Sequence, residues 1–163
     1  MIASPPPVHP WPIGVGPRYQ PTAYHAAVAA GRTIDGMRCR SGGRTFAVHI
    51  ELFANRKVII VPKKIGVSRR GCTYPLSTTT PTGVVEVKTS RPHTLGDLFA
   101  VWGRTLNRKR LLSFRGTVSV FVNGVRSHAK PQDIVLTKHL QVVVEVGGYV
   151  APHAHYLFPK GAG

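Results

Sequence analysis

Apolar and polar residues alternate along "FAVHIELFA" (46–54), the clearest periodic pattern in the chain. A period of two predicts a β-strand with one apolar face, while His49, Glu51 and Phe53 share the other face. The turn-forming "NRK" and the apolar "VIIVP" (58–62) that follow predict a hairpin. We expect Glu51, and likewise Glu145 in the alternating strand over 140–148, to point outward to solvent.

The segment "TLGDLFAVWGRTL" (94–106) has a helical rather than a strand period. Its apolar residues recur at i, i+3, i+4 and i+7 from Leu95, which predicts a helix with one apolar stripe. Thr94 is suited to the N-cap, and Asp97 three residues later completes a capping box. Gly103 is a candidate for the end of the helix.

Further strands are predicted over 83–88, 117–127 and 140–148, the second of them interrupted by an Asn-Gly turn at Asn123. A hairpin, a strand, one amphipathic helix and then more strands predict an α+β fold. A small mixed β-sheet crossed by one helix, β-grasp-like, is the economical architecture, and a barrel with a side helix is the competing one.

Residues 1–24 differ from the rest of the chain because they are rich in proline and glycine and lack apolar periodicity. We expect them to form an extended arm without a core of its own. The remaining residues 25–163 are predicted to form a single α+β domain. That domain begins with a short helix ending at Gly31, and it ends in an aromatic tail that could pack against the body.

Charge changes the picture more than any motif. The 163 residues include 22 lysines and arginines against six aspartates and glutamates, a net charge of +16. Such a surplus attracts polyanions, above all nucleic acid, and arginine, which outnumbers lysine, is the better ligand for phosphate oxygens. The candidate polyanion-binding residues lie in the turns of 56–115: Arg56, Lys57, Lys63, Lys64, Arg69, Arg70, Arg104, Arg108, Lys109, Arg110 and Arg115.

The order of several motifs resembles a largely uncharacterised bacterial domain family. The matching segments run from "IDGMRC" and "HIELFAN" through "VPKKIGV", "TGVVEV" and "HTLGDLFAVWG" to "VFVNG", "DIVLTKH" and "YLFPKG", and cover roughly residues 33–161. Members of the family show the pattern H-x-H-L, L-H-T-H-D, G-I-I-H, F-T-L-G-Q-F-F-x-x-W-G and V-N-G. Histidines in such spacing are typical of a transition-metal site, and the resemblance implies a metal-binding ancestry.

Carried over onto this sequence, the histidine pattern is largely lost. Only the second histidine of H-x-H-L is present, as His49, and Glu86 stands where G-I-I-H has its histidine. The other ligand positions hold residues that bind zinc or copper poorly: Ala47, Ser77, Thr79 and Thr80. One imidazole and one carboxylate do not complete a four-coordinate site, so no metal or other cofactor is expected.

Other reactive residues give weak signals. His153 and His155 are spaced to share one face of an extended tail, which makes them weak metal-ligand candidates beside His49 and Glu86. A general acid–base pair of His49 and Glu86 is conceivable, but nothing fixes a pocket around it. We therefore predict no enzyme activity, no catalytic residue and no small-molecule substrate.

Cys39 and Cys72 are the two cysteines. The chain shows neither a signal peptide at its start nor an apolar run long enough to span a membrane, which favours a cytoplasmic location and free thiols. The alternative is a Cys39–Cys72 disulfide in an extracytoplasmic protein whose leader is missing.

The sequence thus predicts a non-enzymatic basic module that binds nucleic acid or a nucleoprotein assembly. The alternative is an extracytoplasmic accessory subunit of a protein complex, a degenerate relative of metal-binding domains.

Overall fold

The fold was analysed in a computed structural model that describes residues 18–21, 23 and 30–161. Most of the predicted arm, and most of the short helix predicted before Gly31, lie outside the described residues. Within the arm, Arg18–Tyr19 form a two-residue strand, β1, which pairs in parallel with Val58 and Ile59. This part of the arm is therefore attached to the edge of the main sheet.

The main sheet has eight strands: β1, β2 (Thr45–Ala54), β3 (Lys57–Ile59), β4 (Leu76–Ser77), β5 (Val84–Lys88), β9 (Val118–Val122), β10 (Val125–Ser127) and β11 (Gln141–Val146). Their order is β1-β3-β2-β11-β9-β10, with β5 beside the first half of β2 and β4 beside β5. The two longest strands, β2 and β11, are parallel neighbours at its centre, and β5, β3 and β9 flank them in antiparallel pairs. The predicted α+β class with a mixed sheet is confirmed, although the sheet is larger than expected.

The predicted helix, α1, spans Leu95–Trp102 and packs its buried stripe against the sheet. The capping box is present, because Thr94 Oγ1 accepts from the Asp97 amide at 3.2 Å and the Asp97 carboxylate accepts from the Thr94 amide at 3.1 Å. The helix ends at Trp102, and Gly103, predicted as its terminator, is the C-cap in a left-handed conformation with φ 75°. A 3₁₀ turn, Pro131–Asp133, packs beside this helix.

Both predicted hairpins form. Asn55 and Arg56 turn the chain between β2 and β3 with positive φ angles of 51° and 64°, and Asn123 and Gly124 do the same between β9 and β10. Two successive positive φ angles give a turn whose twist matches that of antiparallel strands. The segment after the helix, for which no strand was predicted, forms a second three-stranded sheet of β6 (Leu106–Asn107), β7 (Arg110–Leu111) and β8 (Phe114–Arg115).

The second face of the main sheet is buried, contrary to expectation. His49 is fully buried, and Glu51 and Glu145, both predicted to face solvent, are each only 2% exposed. The C-terminal tail explains the difference, because it folds back over this face and buries Ala154 and Tyr156. A strand's alternation shows that it has two faces, but a distant segment decides whether the second face meets water.

A disulfide joins Cys39 to Cys72, with their Cα atoms 5.4 Å apart. The favoured expectation of two free thiols is therefore wrong, and the alternative of a Cys39–Cys72 cross-link holds. The loop that carries Cys39 is thereby tied to the loop that precedes β4. Among the described residues, no helix has both the length and the apolar character needed to cross a membrane.

Candidate functional site

The predicted cationic residues separate into groups at different parts of the sheet. β2 is ten residues long, so its two ends lie about 30 Å apart. Seven of the eleven predicted cationic residues lie at one end of the sheet, where β2 and β11 end and β9 begins. We call this group the basic rim: Arg56, Lys57, Arg104, Arg108, Lys109, Arg110 and Arg115.

Several contacts hold the basic rim together. Arg56 lies in the β2–β3 turn and Lys57 begins β3. The Arg56 side chain lies against Gly148 after the end of β11. The small sheet joins the same end of the main sheet through Arg108, whose carbonyl accepts from the Val118 amide at 2.9 Å. A shallow depression in that small sheet is lined by Lys109, Arg110 and Arg115, among others.

Two aromatic side chains lie within the basic rim. Tyr19 and Phe114 have ring centroids 4.5 Å apart, and the Lys57 ammonium lies 5.7 Å from the centre of the Tyr19 ring. Both aromatic residues, together with Arg104 and Arg110, line an open groove of about 650 Å³. The rim therefore combines cations with partly exposed rings.

The other four predicted cations do not join the rim. Lys63 and Lys64 lie in the loop after β3, where the Lys64 amide donates to the Thr78 carbonyl. Arg69 and Arg70 lie in the loop that contains Cys72. Thr73 of this loop pairs with Arg40, so the loop lies near the opposite end of the sheet, where β2 begins. A single surface containing all eleven residues is therefore not what the fold builds.

A second concentration of positive charge was not among the predicted site residues. A cleft of about 480 Å³ opens at the start of β2, between the loop carrying Cys39 and the end of β5. We call it the basic cleft, and five cationic residues line it: Arg38, Arg40, Arg44, Lys88 and Arg91. The sequence "RCRSGGR" (38–44) indicated a local concentration of charge, since it has three arginines around a turn and a cysteine. The rest of the cleft could not be predicted, because the disulfide beside it joins residues 33 positions apart.

The metal-ligand candidates are separated by the fold. His49 and His153 both belong to a buried hydrogen-bonded cluster, whereas His155 is exposed and Glu86 is half-buried beside Ala47 in the β2–β5 register. Across the described part of the chain, no group of three or more His, Cys, Asp or Glu residues is arranged to hold a metal ion. Three positions at which the resemblance places metal ligands are neighbours on adjacent strands, because Glu86 pairs with both Ala47 and Ser77.

The buried cluster is a chain of hydrogen bonds across β2, β11 and the tail. We call it the buried relay: His49, Gln141, Glu51 and His153. Gln141 connects its two neighbours, because its Oε1 lies 2.7 Å from His49 Nδ1 and its Nε2 donates to Glu51 Oε1 at 2.8 Å. The His153 Nδ1 lies 3.0 Å from each Glu51 carboxylate oxygen, which attaches the tail to the sheet.

Proton positions in the relay are coupled. The second ring nitrogen of His49, Nε2, lies 2.8 Å from the Thr82 carbonyl, so both nitrogens face acceptors in this amide orientation. A neutral His49 would have one unpaired contact unless the Gln141 amide rotated, and rotation would turn its oxygen toward Glu51. Protonation of His49 and hydrogen bonding of Glu51 therefore depend on one another.

Burial and charge act in opposite directions on the two histidines. Burial lowers the pKa of His49, and the nearby Glu51 carboxylate only partly offsets this effect. The hydrogen bond to Glu51 raises the pKa of His153, while partial burial opposes it. The stacked ring of Tyr156, 3.5 Å from His49 between centroids, closes the relay from the tail side.

Glu145 shares this covered face but has an incomplete set of partners. Its Oε1 accepts from the Val150 amide at 3.1 Å, while its buried Oε2 has no hydrogen-bond partner among the described residues. Burial raises the pKa of Glu145, so ionisation at neutral pH costs folding free energy. The stability that this group contributes is present when it is protonated and is lost as pH rises.

Replacement of Glu145 by glutamine is therefore expected to stabilise the fold by about 1 kcal/mol at pH 7, because it removes a buried charge and keeps the acceptor for Val150. Urea unfolding from pH 4 to pH 7 measures the effect, and the advantage of the variant should grow as pH rises. Glu86→Gln, on a half-buried residue of the same face, is the control and should change stability by less than about 0.5 kcal/mol. A Glu145→Gln variant less stable than the parent at pH 7 would contradict the expectation.

Comparison with protein-family models, with curated proteins and with solved structures finds no match to this chain.

Proposed function

We propose that this protein is a non-enzymatic basic module that binds nucleic acid along the basic rim. The single observation that supports the proposal most directly is the placement of Lys57, Arg104 and Arg110 beside the Tyr19–Phe114 pair at one end of the sheet. Nucleic acid offers both a phosphate chain for the cations and bases for the rings. A larger nucleoprotein assembly would present the same chemistry.

Surface charge favours this interpretation. Of the six acidic residues, Glu51 and Glu145 are buried beneath the tail, and Glu51 and Asp97 pair with histidines. Some of the few negative charges of the chain are therefore buried rather than exposed beside the cations. Cations therefore dominate the surface charge, which favours rapid association with a polyanion.

The rim favours single strands over duplex recognition. The groove beside Tyr19 and Phe114 is bordered by Arg104 and Arg110, so a base stacked on a ring would leave its phosphate near a guanidinium. The rim is built from turns and two-residue strands, and α1 is buried along its stripe. No element of the rim is therefore shaped to read bases in a major groove.

The binding prediction is tested with the variant Lys109→Gln/Arg115→Gln, which removes two exposed rim charges. We expect affinity for a single-stranded oligonucleotide to fall about 10-fold or more at low salt, and the slope of log K against log salt to decrease by about two. Fluorescence anisotropy across a salt titration measures both quantities. A matched control, Lys138→Gln/Lys160→Gln, removes two exposed charges near the opposite end of β11.

Equal losses in the rim and control variants would mean that net charge, rather than the rim, attracts the oligonucleotide. Undetectable binding by the parent protein at 50 mM salt would overturn the proposal itself. Because all four substituted side chains are exposed, loss of folding is not expected to confuse the result.

A β-grasp-like architecture is the finer proposal for the fold. It is supported by the central parallel pair of β2 and β11, by the helix between the first hairpin and the later strands, and by β9 and β10 on the far side of β11. The added strands β1 and β4 and the small sheet would then be elaborations of that core.

The disulfide favours a second candidate, an extracytoplasmic accessory subunit of a protein complex. A Cys39–Cys72 bond persists in an oxidising compartment and is rarely stable in a reducing cytosol, the location that the sequence favours. Protein isolated from its source under thiol-blocking conditions distinguishes the two. A mass two hydrogens below the thiol form, with a protein partner that nuclease does not release, would favour the accessory subunit over the nucleic-acid module.

A further inference from the structure

We propose that the basic cleft is a second anion site, separate from the basic rim, that binds a compact group carrying two or more adjacent phosphates. Such a group occurs as inorganic pyrophosphate, in a nucleoside triphosphate, or at the 5′ end of a nucleic acid. The cleft lies at the start of β2, and the rim lies at the end of the same strand, about 30 Å away.

The lining of the cleft matches such an anion in charge and size. Arg38, Arg40, Arg44 and Arg91 are exposed around its opening, and Lys88 is half-buried in its wall. Among the described residues, no aspartate or glutamate lines it. A volume of about 480 Å³ falls within the range of small-ligand sites. Arginine forks can each bind a phosphate in bidentate fashion, so several of them around one cleft favour a multiply charged ligand.

Lys88 is held in position for a ligand. Its ammonium donates to the carbonyls of Arg40, at 2.9 Å, and Thr73, at 3.0 Å. An ammonium has three donors, so one remains for an anion. Burial, and then the charge of Arg40, lower the pKa of Lys88, and a bound anion would offset both effects.

The loop on the other side of the cleft is fixed as well. The Arg40 and Thr73 amides and carbonyls exchange two hydrogen bonds, of 2.9 and 3.0 Å, next to the Cys39–Cys72 disulfide. Gly42 and Gly43 continue the loop in left-handed conformations, with φ 71° and 100°, which brings the backbone round to Arg44 without side chains that would fill the opening. Little ordering of the loop backbone is therefore needed when an anion binds.

His93 supplies an independent observation. It contributes to the lining of the cleft, is only 1% exposed, and places its Nδ1 3.1 Å from Asp97 Oδ2. The Nε2 atom of the same ring is buried and has no hydrogen-bond partner within the described residues. Buried polar atoms are rarely left unpaired, so this imidazole is a polar group of the cleft wall whose partner the described residues do not supply.

The experiment is calorimetric titration of the full chain with pyrophosphate, with ATP and with a 5′-triphosphorylated oligonucleotide, using sulfate at equal ionic strength as the reference anion. Pyrophosphate is expected to bind at least 10-fold more tightly than sulfate. The exposed-residue variant Arg44→Gln/Arg91→Gln should lower pyrophosphate affinity by about 10-fold or more. His93→Gln should lower it less, and circular dichroism checks that this buried substitution leaves the fold intact.

The rim variant Lys109→Gln/Arg115→Gln is the matched control, and it should leave pyrophosphate affinity within twofold of the parent. If pyrophosphate binds as expected at the cleft but the rim variant binds the oligonucleotide as tightly as the parent, the proposed function is overturned and this inference is not. Pyrophosphate affinity no greater than that of sulfate, or equal loss in the cleft and rim variants, would overturn the inference. ATP binding without preference for the triphosphorylated oligonucleotide would identify a free nucleotide as the ligand, and the reverse preference would identify a nucleic-acid end.

Discussion

Replacing Glu51 by alanine is expected to lower the free energy of unfolding by about 3–5 kcal/mol, because it breaks a buried charge pair and leaves its partners without an acceptor. Glu51 is 2% exposed and accepts hydrogen bonds from Gln141 Nε2 and from His153 Nδ1. Its removal leaves a buried amide donor unpaired and releases the tail from the sheet. Urea unfolding followed by tryptophan fluorescence measures the loss.

The effect of Glu51→Ala should depend on pH in a defined direction. The hydrogen bond to Glu51 raises the pKa of His153 above its unfolded value, so the stability from this pair is fully present below about pH 6.5. That contribution is lost as pH rises through the folded pKa. The difference between parent and variant should therefore be larger at pH 5.5 than at pH 8.5.

His49 shifts in the opposite sense and strengthens the same trend. Burial lowers the pKa of His49, and the Glu51 carboxylate opposes this effect. Without the carboxylate, a proton on His49 becomes more costly, so the variant should lose further stability as pH falls. Glu51→Gln is the matched control, since it keeps the shape and one acceptor and should cost less than alanine. A Glu51→Ala variant whose deficit is equal at both pH values would show that packing, rather than charge, explains the role of Glu51.

Local sequence signals were sufficient to predict the helix and the two hairpins, because these elements are defined by contacts between residues close together in the chain. The helix Leu95–Trp102 carries its own stripe, N-cap and terminating glycine, and each of the two predicted hairpins carries its own asparagine turn. Such features depend on residues a few positions apart. They could therefore be predicted without knowledge of the rest of the chain.

Long-range contacts explain what the sequence could not show. Glu51 and Glu145 had the alternation of outward-facing residues, but the tail around Tyr156, about a hundred positions after β2, covers Glu51. The strands of the small sheet are two residues long, which is too short for a periodic pattern. These misses share one cause, because each depends on which distant segment packs against a locally recognisable element.

The candidate site divides in the same way. Turn positions and charge identified the rim residues Lys109 and Arg115, since exposed loops keep their cations accessible. The basic cleft escaped prediction because Arg40 and Lys88 are 48 positions apart and meet through the β2–β5 pairing and the cross-linked loop. Charge patterning along a chain therefore predicts that cations will be exposed, whereas the fold decides which of them act together.

Replacing both cysteines by serine is expected to destabilise the protein by about 3–4 kcal/mol, because the Cys39–Cys72 bond closes a loop of 33 residues and restricts the unfolded chain. The bond also holds Arg40 against Thr73 at the edge of the basic cleft. The folded Cys39→Ser/Cys72→Ser variant should therefore lose pyrophosphate affinity as well as stability, while its affinity for a single-stranded oligonucleotide at the basic rim should remain within twofold.

Urea unfolding of oxidised parent, reduced parent and variant measures the stability change, and calorimetry at a temperature where all three are folded measures the anion affinity. The reduced parent is the matched control, since it lacks the cross-link but keeps both sulfur atoms in place. If the reduced parent unfolds at the same urea concentration as the oxidised protein, the loop is held by its other contacts and the stability prediction is wrong. If stability falls while pyrophosphate affinity is unchanged, the cross-link supports the fold without shaping the cleft, because the Lys88 bonds to Arg40 and Thr73 are then sufficient to hold the loop.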